Sequence, residues 1–295
     1  MATRPRLCHM AAMSTGLARH IAACNNTSSP AGLVPFRLGE AQVGWVQPGA
    51  AKALTFLPAE VHFDGRGVSL PARLRTSAQR SEALGRLAHH LAERGHGRVR
   101  GELFDIREHA EGPVLATLDR GAVPLFGVIG QGVHVNGLVR RADGLHVWVG
   151  HRARHKAVAP GLLDNLVAGG IPAGLTAEET LVKEAGEEAS IPPALAATAR
   201  RAGRLSYILT NEEGLRRDVL HCFDLDLPEG FEPRPNDDEV ERFELWPAER
   251  LLGAVRDTEG VKFNVNLVLI DLFLREGMVA GAEARGLRAG LEQGP

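Results

Sequence analysis

Three glutamates, Glu184, Glu187 and Glu188, fall within five positions of the stretch "NLVAGGIPAGLTAEETLVKEAGEEASIPPA", residues 165–194. At about 100° per residue they share roughly a third of a helix circumference. Like charges one turn apart destabilise an isolated helix by a few tenths of a kcal/mol, so such a face is either solvated or neutralised by a partner. The helix is entered through Gly169, Gly170 and Gly174, where backbone can approach a ligand closely. Clustered carboxylate oxygens suit Mg²⁺ or Mn²⁺, which bind a few carboxylates and leave their other positions to water and phosphate oxygens. An ion held there would shield a phosphate, fix the reacting oxygens and acidify a bound water. The partner these residues imply is a divalent metal carrying a diphosphate.

Other side chains have the right types to complete such a site. Arg152, Arg154 and Lys156 cluster in "HRARHK" just before the glycine-rich turn. Guanidinium forks suit bidentate phosphate contacts and Lys serves as a point charge, although a solvent-facing basic loop would look the same. His134 and Asn136 share one face of a strand, as pocket-lining groups or as a buried hydrogen-bonded pair. Gly169 offers either a carbonyl to the metal or a simple turn.

These residues need elements to position them. Thr176 and Glu179 form a capping-box pattern that fixes the start of the acidic helix. "GVHVNGLV" and "LHVWVG" alternate apolar and polar residues around "RADG", which reads as a hairpin turning at Asp143-Gly144. "LVAGG", "RLSYIL", "DVLHCFDLDL" and "VERFELW" read as further strands, and "PAERLLGAV" and "KFNVNLVLIDLFLREG" as closing helices. A mixed sheet with helices on its faces is the simplest architecture. Upstream, "SAQRSEALGRLAHHLAERG" places Leu84, Leu87 and Leu91 on one helical stripe and stops at Gly95. His89 and His90 beside that stripe read as a satisfied pair, since no third ligand is spaced to join them.

The first 39 residues hold several arginines and no acid before Glu40, a composition compatible with a targeting peptide. A folded helix is the preferred reading, with Leu17, Ile21 and Cys24 on one face after Ser14 and Thr15 as caps. "NNTS" at 25–28 contains glycosylation sequons that mean little without a secretory signal. The expected organisation is a tail at 1–13, an α+β domain at 14–122, a second domain at 123–278 and a C-terminal tail at 279–295.

Bulk properties exclude some functions. A net charge of −2 gives no basic field for nucleic acid, and aromatics at 5% give few stacking platforms. Cys8, Cys24 and Cys222 are too scattered for a disulfide framework or zinc site and read as reduced cytoplasmic thiols. No apolar run approaches the ~20 residues of a membrane span.

"GGIPAGLTAEETLVKEAGEEASI" resembles the Nudix box, G-x5-E-x7-R-E-U-x-E-E-x-G-U with U apolar. Gly169 takes the first Gly, Glu184 the first Glu of the core, Ala185 its apolar place, Glu187 and Glu188 the Glu pair, and Ile191 the last apolar place. Leu175 stands where the family has an early Glu, Lys183 where it has Arg, and Ser190 where it has the final Gly. None of these departures removes a metal-binding carboxylate, and Glu179, four residues before Lys183, is spaced to offer it an ion pair. "FGVIGQGVHVNGLV", "LPEGFEPRPNDDEVERFEL", "FNVNLVLIDLFLREG" and the N-terminal "RHIAACNN" and "PFRLGEAQVGWVQP" extend the resemblance over about residues 15–278. They are similar to the Nudix branch related to the part fused to thiamin pyrophosphokinase.

The resemblance implies a Nudix α/β/α sandwich after a smaller α+β domain. It also implies Mg²⁺- or Mn²⁺-dependent hydrolysis of thiamin-type diphosphates, above all the damaged oxo and oxy forms, to the monophosphate and phosphate. Glu184 and Glu188 become the expected metal ligands, Glu187 a third ligand or the base, and Glu239 in "DDEV" a distal ligand or general base, with Asp238 as its substitute. The partner expected is a small diphosphate, not nucleic acid or membrane, and a homodimer is left open. The alternatives are a Nudix hydrolase of nucleoside diphosphate derivatives, or a catalytically weak diphosphate-binding module.

Overall fold

The computed structural model describes residues 16–27, 30–57, 59–65 and 67–292. Ser14 and Thr15, expected as helix caps, lie outside the described residues. The chain begins with helix α1 (Ala18–Cys24), followed by β1 (Val34–Leu38), β2 (Ala41–Val46), α2 (Pro48–Leu54), β3 (His62–Asp64) and β4 (Gly67–Ser69). The four strands form one sheet in the order β2-β1-β4-β3. Helix α3 (Ser77–Glu93) starts at a capping box in which Thr76 and Gln79 exchange side-chain bonds with each other's N–H groups. Its Leu84, Leu87 and Leu91 are buried with Phe36, Val43 and Leu54. His89 and His90 bond to the carbonyls of Gly85 and Ala53, a satisfied pair. A two-stranded sheet of β5 (Leu103–Ile106) and β6 (Ala116–Asp119) completes this domain.

A short helix, α4 (Val123–Phe126), leads into the second domain and stacks Phe126 against Phe36, with ring centroids 4.9 Å apart. There follow β7 (Ile129–Arg141), β8 (Gly144–Arg152), β9 (Leu163–Asp164), β10 (Val167–Gly170), α5 (Ala177–Ala189), α6 (Pro193–Ala196), β11 (Arg200–Asn211), β12 (Gly214–Asp226) and β13 (Val240–Pro247). The chain ends in α7 (Ala248–Asp257), α8 (Val265–Arg275) and α9 (Gly281–Leu291). The main sheet runs β11-β12-β7-β8-β13, with β10 added to β7 and β9 to β8. β7 and β12 are parallel, and the β7–β8 hairpin turns through Ala142 and Asp143, one residue earlier than expected.

Alternation along β7 sends Val133 and Val135 to one face, where they pack with Leu181 and Ala185 of α5. The other face carries Leu138, Val147 and Leu220 and is covered by α7, α8, α9 and α1. The result is the expected α/β/α sandwich beside an α+β domain.

Two boundaries differ from the sequence-based division. Leu17, Ile21 and Cys24 of α1 join the core of the second domain, not that of the first. The side-chain oxygens of Asn25 and Asn26 accept the N–H groups of Ile208 and Thr210, fixing the end of α1 to β11. Residues 279–295, expected as a tail, form α9 over 281–291, with Val279 and Leu287 buried. The first correction has a simple cause: a short amphipathic helix shows which face it buries, but not against what.

Leu17→Ala is therefore expected to destabilise the second domain by about 2–4 kcal/mol, the range for a fully buried leucine. Denaturant unfolding followed at Trp148 and Trp246 would check it. A loss below about 0.5 kcal/mol, the size of an ordinary surface change, would return residues 16–27 to the status of an appendage.

Candidate functional site

The site is built around the three residues Ala168, Gly169 and Gly170, which close β10 against β7. On one side lies α5. Its N-terminus is fixed by the expected capping box: Thr176 Oγ1 accepts the Glu179 N–H, and Glu179 Oε2 accepts the Thr176 N–H at 2.8 Å. That start places Glu184 and Glu188, one turn apart, beneath the strip. A Cβ on Gly169 would lie 2.6 Å from the Glu184 carboxyl carbon, so glycine there lets that carboxylate lie against the backbone without being displaced. On the other side, a Cβ on Gly170 would lie 2.3 Å from the Phe104 ring of the N-terminal domain. The strip thus separates two walls, and the N-terminal domain is one of them.

Glu188 is 7% exposed, and its Oε2 accepts the Ala168 N–H at 3.0 Å. Burial pushes its carboxyl well above the ordinary carboxylate range, and the charges of Asp164, Glu184 and Glu239 push the same way. Burial also raises Glu184. Lys183 bonds Glu184 at 3.0 Å and Glu187 at 2.5 Å, leaving the Glu187 side chain 56% exposed. The expected Glu179–Lys183 pair does not form, because the cap uses the Glu179 carboxylate. Ser190 ends the helix at φ 53°, the left-handed conformation that a glycine adopts without strain, and bonds the Arg234 carbonyl.

Above the strip runs a cleft of about 720 Å³, bounded on the second domain by His134, Arg152, Lys156, Glu239 and Lys262, among others. Lys156 pairs with Glu239 at 2.7 Å. Asp238 also borders the cleft but is turned to solvent and His155. Glu239, on the loop entering β13, lies close enough for its charge to act on Glu188.

The arginines are placed differently from the clamp expected of them. Arg152 is buried, and its fork is committed to Asp164 at 2.6 Å and to the carbonyls of Val158 and Ala159. It holds the 153–162 loop in shape. Arg154 is exposed and outside the cleft lining. Lys156 is the member of that cluster left facing the cleft, joined by Lys262, which bonds Asp164 at 3.0 Å. Against the upward push of burial, Lys262 and Arg152 hold the Asp164 carboxyl below its ordinary value.

His134 and Asn136 are both buried, and Asn165 links them: its Oδ1 meets His134 Nδ1 at 2.8 Å, and its amide donates to Asn136 Oδ1 at 2.9 Å. His134 reaches the cleft, and burial, reinforced by Lys262, lowers it to about 4, so it is neutral near pH 7. Asn136 is outside the cleft lining and donates to Asp224, so it supports the floor from behind. Sequence reasoning missed Asp164, Asn165 and Lys262. The polar pair in "LLDNLV" was the available signal, since two adjacent polar residues in an apolar run require buried partners.

Hard oxygen donors converge here: the Glu184 and Glu188 carboxylates and the backbone at Gly169. Among the described residues no group of three or more His, Cys, Asp or Glu side chains is assembled to hold a metal ion. The donors nevertheless fit a small divalent cation, which takes one or two carboxylates and completes its shell with water and phosphate oxygens. The buried Glu188, ringed by acids and with no ion-pair partner among the described residues, is the group that such a cation would satisfy.

Residues 16–130 match the family model described as a domain of unknown function, DUF4743, and residues 130–265 match the NUDIX domain model. Two Arabidopsis thaliana proteins are similar over most of the chain. Nudix hydrolase 20, chloroplastic, is 36% identical over 280 residues, covering 90% of this chain and 74% of its own. Nudix hydrolase 24, chloroplastic, is 35% identical over 269 residues with the same two coverages. Among solved structures, the NUDIX domain of Shewanella oneidensis NrtR complexed with ADP ribose covers 52% of this chain and 91% of its own, at 15% identity and a TM-score of 0.41.

The burial of Glu188 has a measurable sign. A carboxyl whose folded value lies above its unfolded one contributes stability that is full below the ordinary 4.5 and is lost as pH rises through the raised value. With chelator present, Glu188→Gln should melt above wild type at about pH 8, and the gap should close as pH falls below the ordinary carboxyl value. A pH-independent gap, or a less stable variant throughout, would contradict this.

Proposed function

The chain belongs to the Nudix hydrolase family, and we propose that it cleaves the diphosphate of thiamin-type compounds, chiefly damaged oxo and oxy forms, to the monophosphate and phosphate. The observation that carries the chemistry is the buried Glu188 carboxylate, set beside Glu184 under a backbone strip that forms part of the cleft floor. The thiamin-type substrate rests on the segments outside the box that resemble the thiamin pyrophosphokinase-related branch.

Glu184 and Glu188, with the Gly169 carbonyl, would hold Mg²⁺ or Mn²⁺, while Glu187 on the same helix is paired with Lys183 at the surface. When bound, the cation supplies charge neutralisation for the diphosphate and acidifies nearby water. Lys156 and Lys262 add positive charge above the strip. Neutral His134 presents an uncharged polar group to the substrate. Water adds to one phosphorus as the bridging P–O bond breaks, and Glu239 accepts the proton that the water loses. Lys156, 2.7 Å from Glu239, holds that carboxylate at the edge of the cleft.

Among the described residues no helix is long and apolar enough to cross a membrane. The plant relatives are named for the chloroplast, so a cytoplasmic placement is not carried over from them.

Phosphate release from oxythiamin diphosphate should require Mg²⁺ or Mn²⁺, stop with chelator and return when the metal is restored. Full turnover in excess chelator would overturn the metal-dependent reading. A nucleoside diphosphate derivative cleaved far faster would reassign the substrate and leave the site intact.

Glu239→Gln should lower kcat by about 100-fold with little change in KM, the size of a lost general base. It should also shift the acidic limb of the pH–rate profile. Asp238→Asn, altering a solvent-facing carboxylate, should stay near wild type. A crippling Asp238→Asn beside a mild Glu239→Gln would exchange their roles, and two mild variants would move the base to Glu187.

A further inference from the structure

Past Gly170 the cleft continues onto the N-terminal domain, where Arg98, Arg100 and Arg120 border it opposite Arg216 of β12. The backbone carrying the first three is stapled by Asp119. That buried carboxylate accepts the N–H groups of Arg100 at 2.9 Å, Gly101 at 2.7 Å and Gly121 at 2.8 Å. Arg120 pairs with Glu102 at 2.7 Å and lies 5.7 Å from the centroid of Phe104, the ring packed on Gly170. The Glu102 charge is felt at Glu184, so this wall adjoins the carboxylates of α5. Arg216 is held by Glu213 at 2.7 Å and Asp218 at 3.3 Å, and its buried Nε has no partner.

The acids at this end are mostly engaged: Glu102 by Arg120, and Glu213 and Asp218 by Arg216, with Glu212 exposed at the rim. Arg98 and Arg100 form no side-chain ion pair among the described residues. Partial loss of solvent at its head group, together with the charges of Arg120 and Arg98, lowers the otherwise exposed Arg100 from its ordinary value. Two unpaired guanidinium groups thus stand beside two paired ones at the mouth of the cleft, on backbone tied down by a buried carboxylate. Planar, weakly hydrated guanidinium forks of this kind are suited to phosphate oxygens.

We propose that Arg98 and Arg100, backed by Arg120 and Arg216, form a phosphate subsite through which the N-terminal domain binds the substrate. This rests on the diphosphate-hydrolase reading above. The bound group is either the terminal phosphate of the diphosphate or a separate phosphate elsewhere on the substrate. The N-terminal domain is then a working wall of the active site.

The test uses the full chain carrying Arg98→Gln and Arg100→Gln together, with Arg86→Gln, outside the cleft lining, as a control for the loss of an arginine elsewhere. Both altered side chains are exposed, so the fold should hold, which the melting temperature checks. Calorimetric titration with orthophosphate and with pyrophosphate in chelator should show binding weakened by about tenfold or more in the double variant and unchanged in the control, the size of lost charge-assisted hydrogen bonds. KM should rise by a similar factor while kcat stays within about threefold, as expected for lost binding that is uniform between substrate and transition state. Arg100→Lys, keeping the charge but not the fork, should fall between wild type and the glutamine variant.

A KM increase for every diphosphate ester assigns the subsite to the terminal phosphate. An increase confined to substrates with an additional phosphate assigns it to that group. Unchanged affinity for both anions, with unchanged KM, overturns the proposal. If wild type binds pyrophosphate through these arginines but cleaves no diphosphate, the subsite stands and the hydrolase reading fails.

Discussion

The arrangement depends on one steric constraint: the backbone from Ala168 to Gly170 is approached closely from both sides. Glu184 lies against Gly169, and Phe104 lies against Gly170, at positions where a Cβ would collide with either. The strand can be this thin because β7 holds it on one edge through four registered pairs, so it needs no side chains of its own to stay in place. Thinness lets carboxylates from one side and the N-terminal domain from the other meet across a single layer of peptide. A side chain on Gly169 would push on the Glu184 carboxylate, and one on Gly170 on the Phe104 ring.

The electrostatics follow from that geometry. Burying Glu188 under the strip costs solvation that one backbone N–H does not restore, and the neighbouring acids add to the cost. The site holds this unfavourable charge because the sandwich core around α5, from Leu181 to Ile191, fixes the helix whether or not the carboxylate is satisfied. Binding of a divalent cation would relieve the strain, which couples ligand affinity to a cost already incurred in folding. Lys183 adjusts the same balance from outside. Sitting where the family pattern has Arg, it draws Glu184 and Glu187 to itself at the surface rather than supporting the loop.

Local signals in the sequence were reliable where one stretch of chain decides the outcome. The capping box at Thr176 and Glu179, the stripe of Leu84, Leu87 and Leu91, and the alternation along β7 all hold in the structure. Signals that depend on partners far along the chain were not. Glu179 was spaced for Lys183, but the cap had first claim on it. Arg152 has the composition of a phosphate clamp, yet Asp164, twelve residues on, folds back to bury it. Arg98, Arg100 and Arg120 could not be connected with a motif some fifty residues or more downstream until β5 docked on the strip. One compositional hint was available: the chain has only four lysines, and Lys156, Lys183 and Lys262 all stand at the site. In a chain that otherwise uses Arg for surface charge, lysines so placed suggest a need for compact point charges.

The central claim is that Glu184 and Glu188 bind a divalent cation at the strip. A Mn²⁺ titration of the full chain, followed by electron paramagnetic resonance with inorganic pyrophosphate present, tests it most directly. Wild type should take up the ion with a protein-dependent loss of free Mn²⁺ signal beyond that due to pyrophosphate alone. The Glu184→Gln/Glu188→Gln double variant, folded by its melting curve, should lose most of that uptake. Equal uptake by the double variant would mean that the ion binds elsewhere and that the buried glutamates serve another purpose.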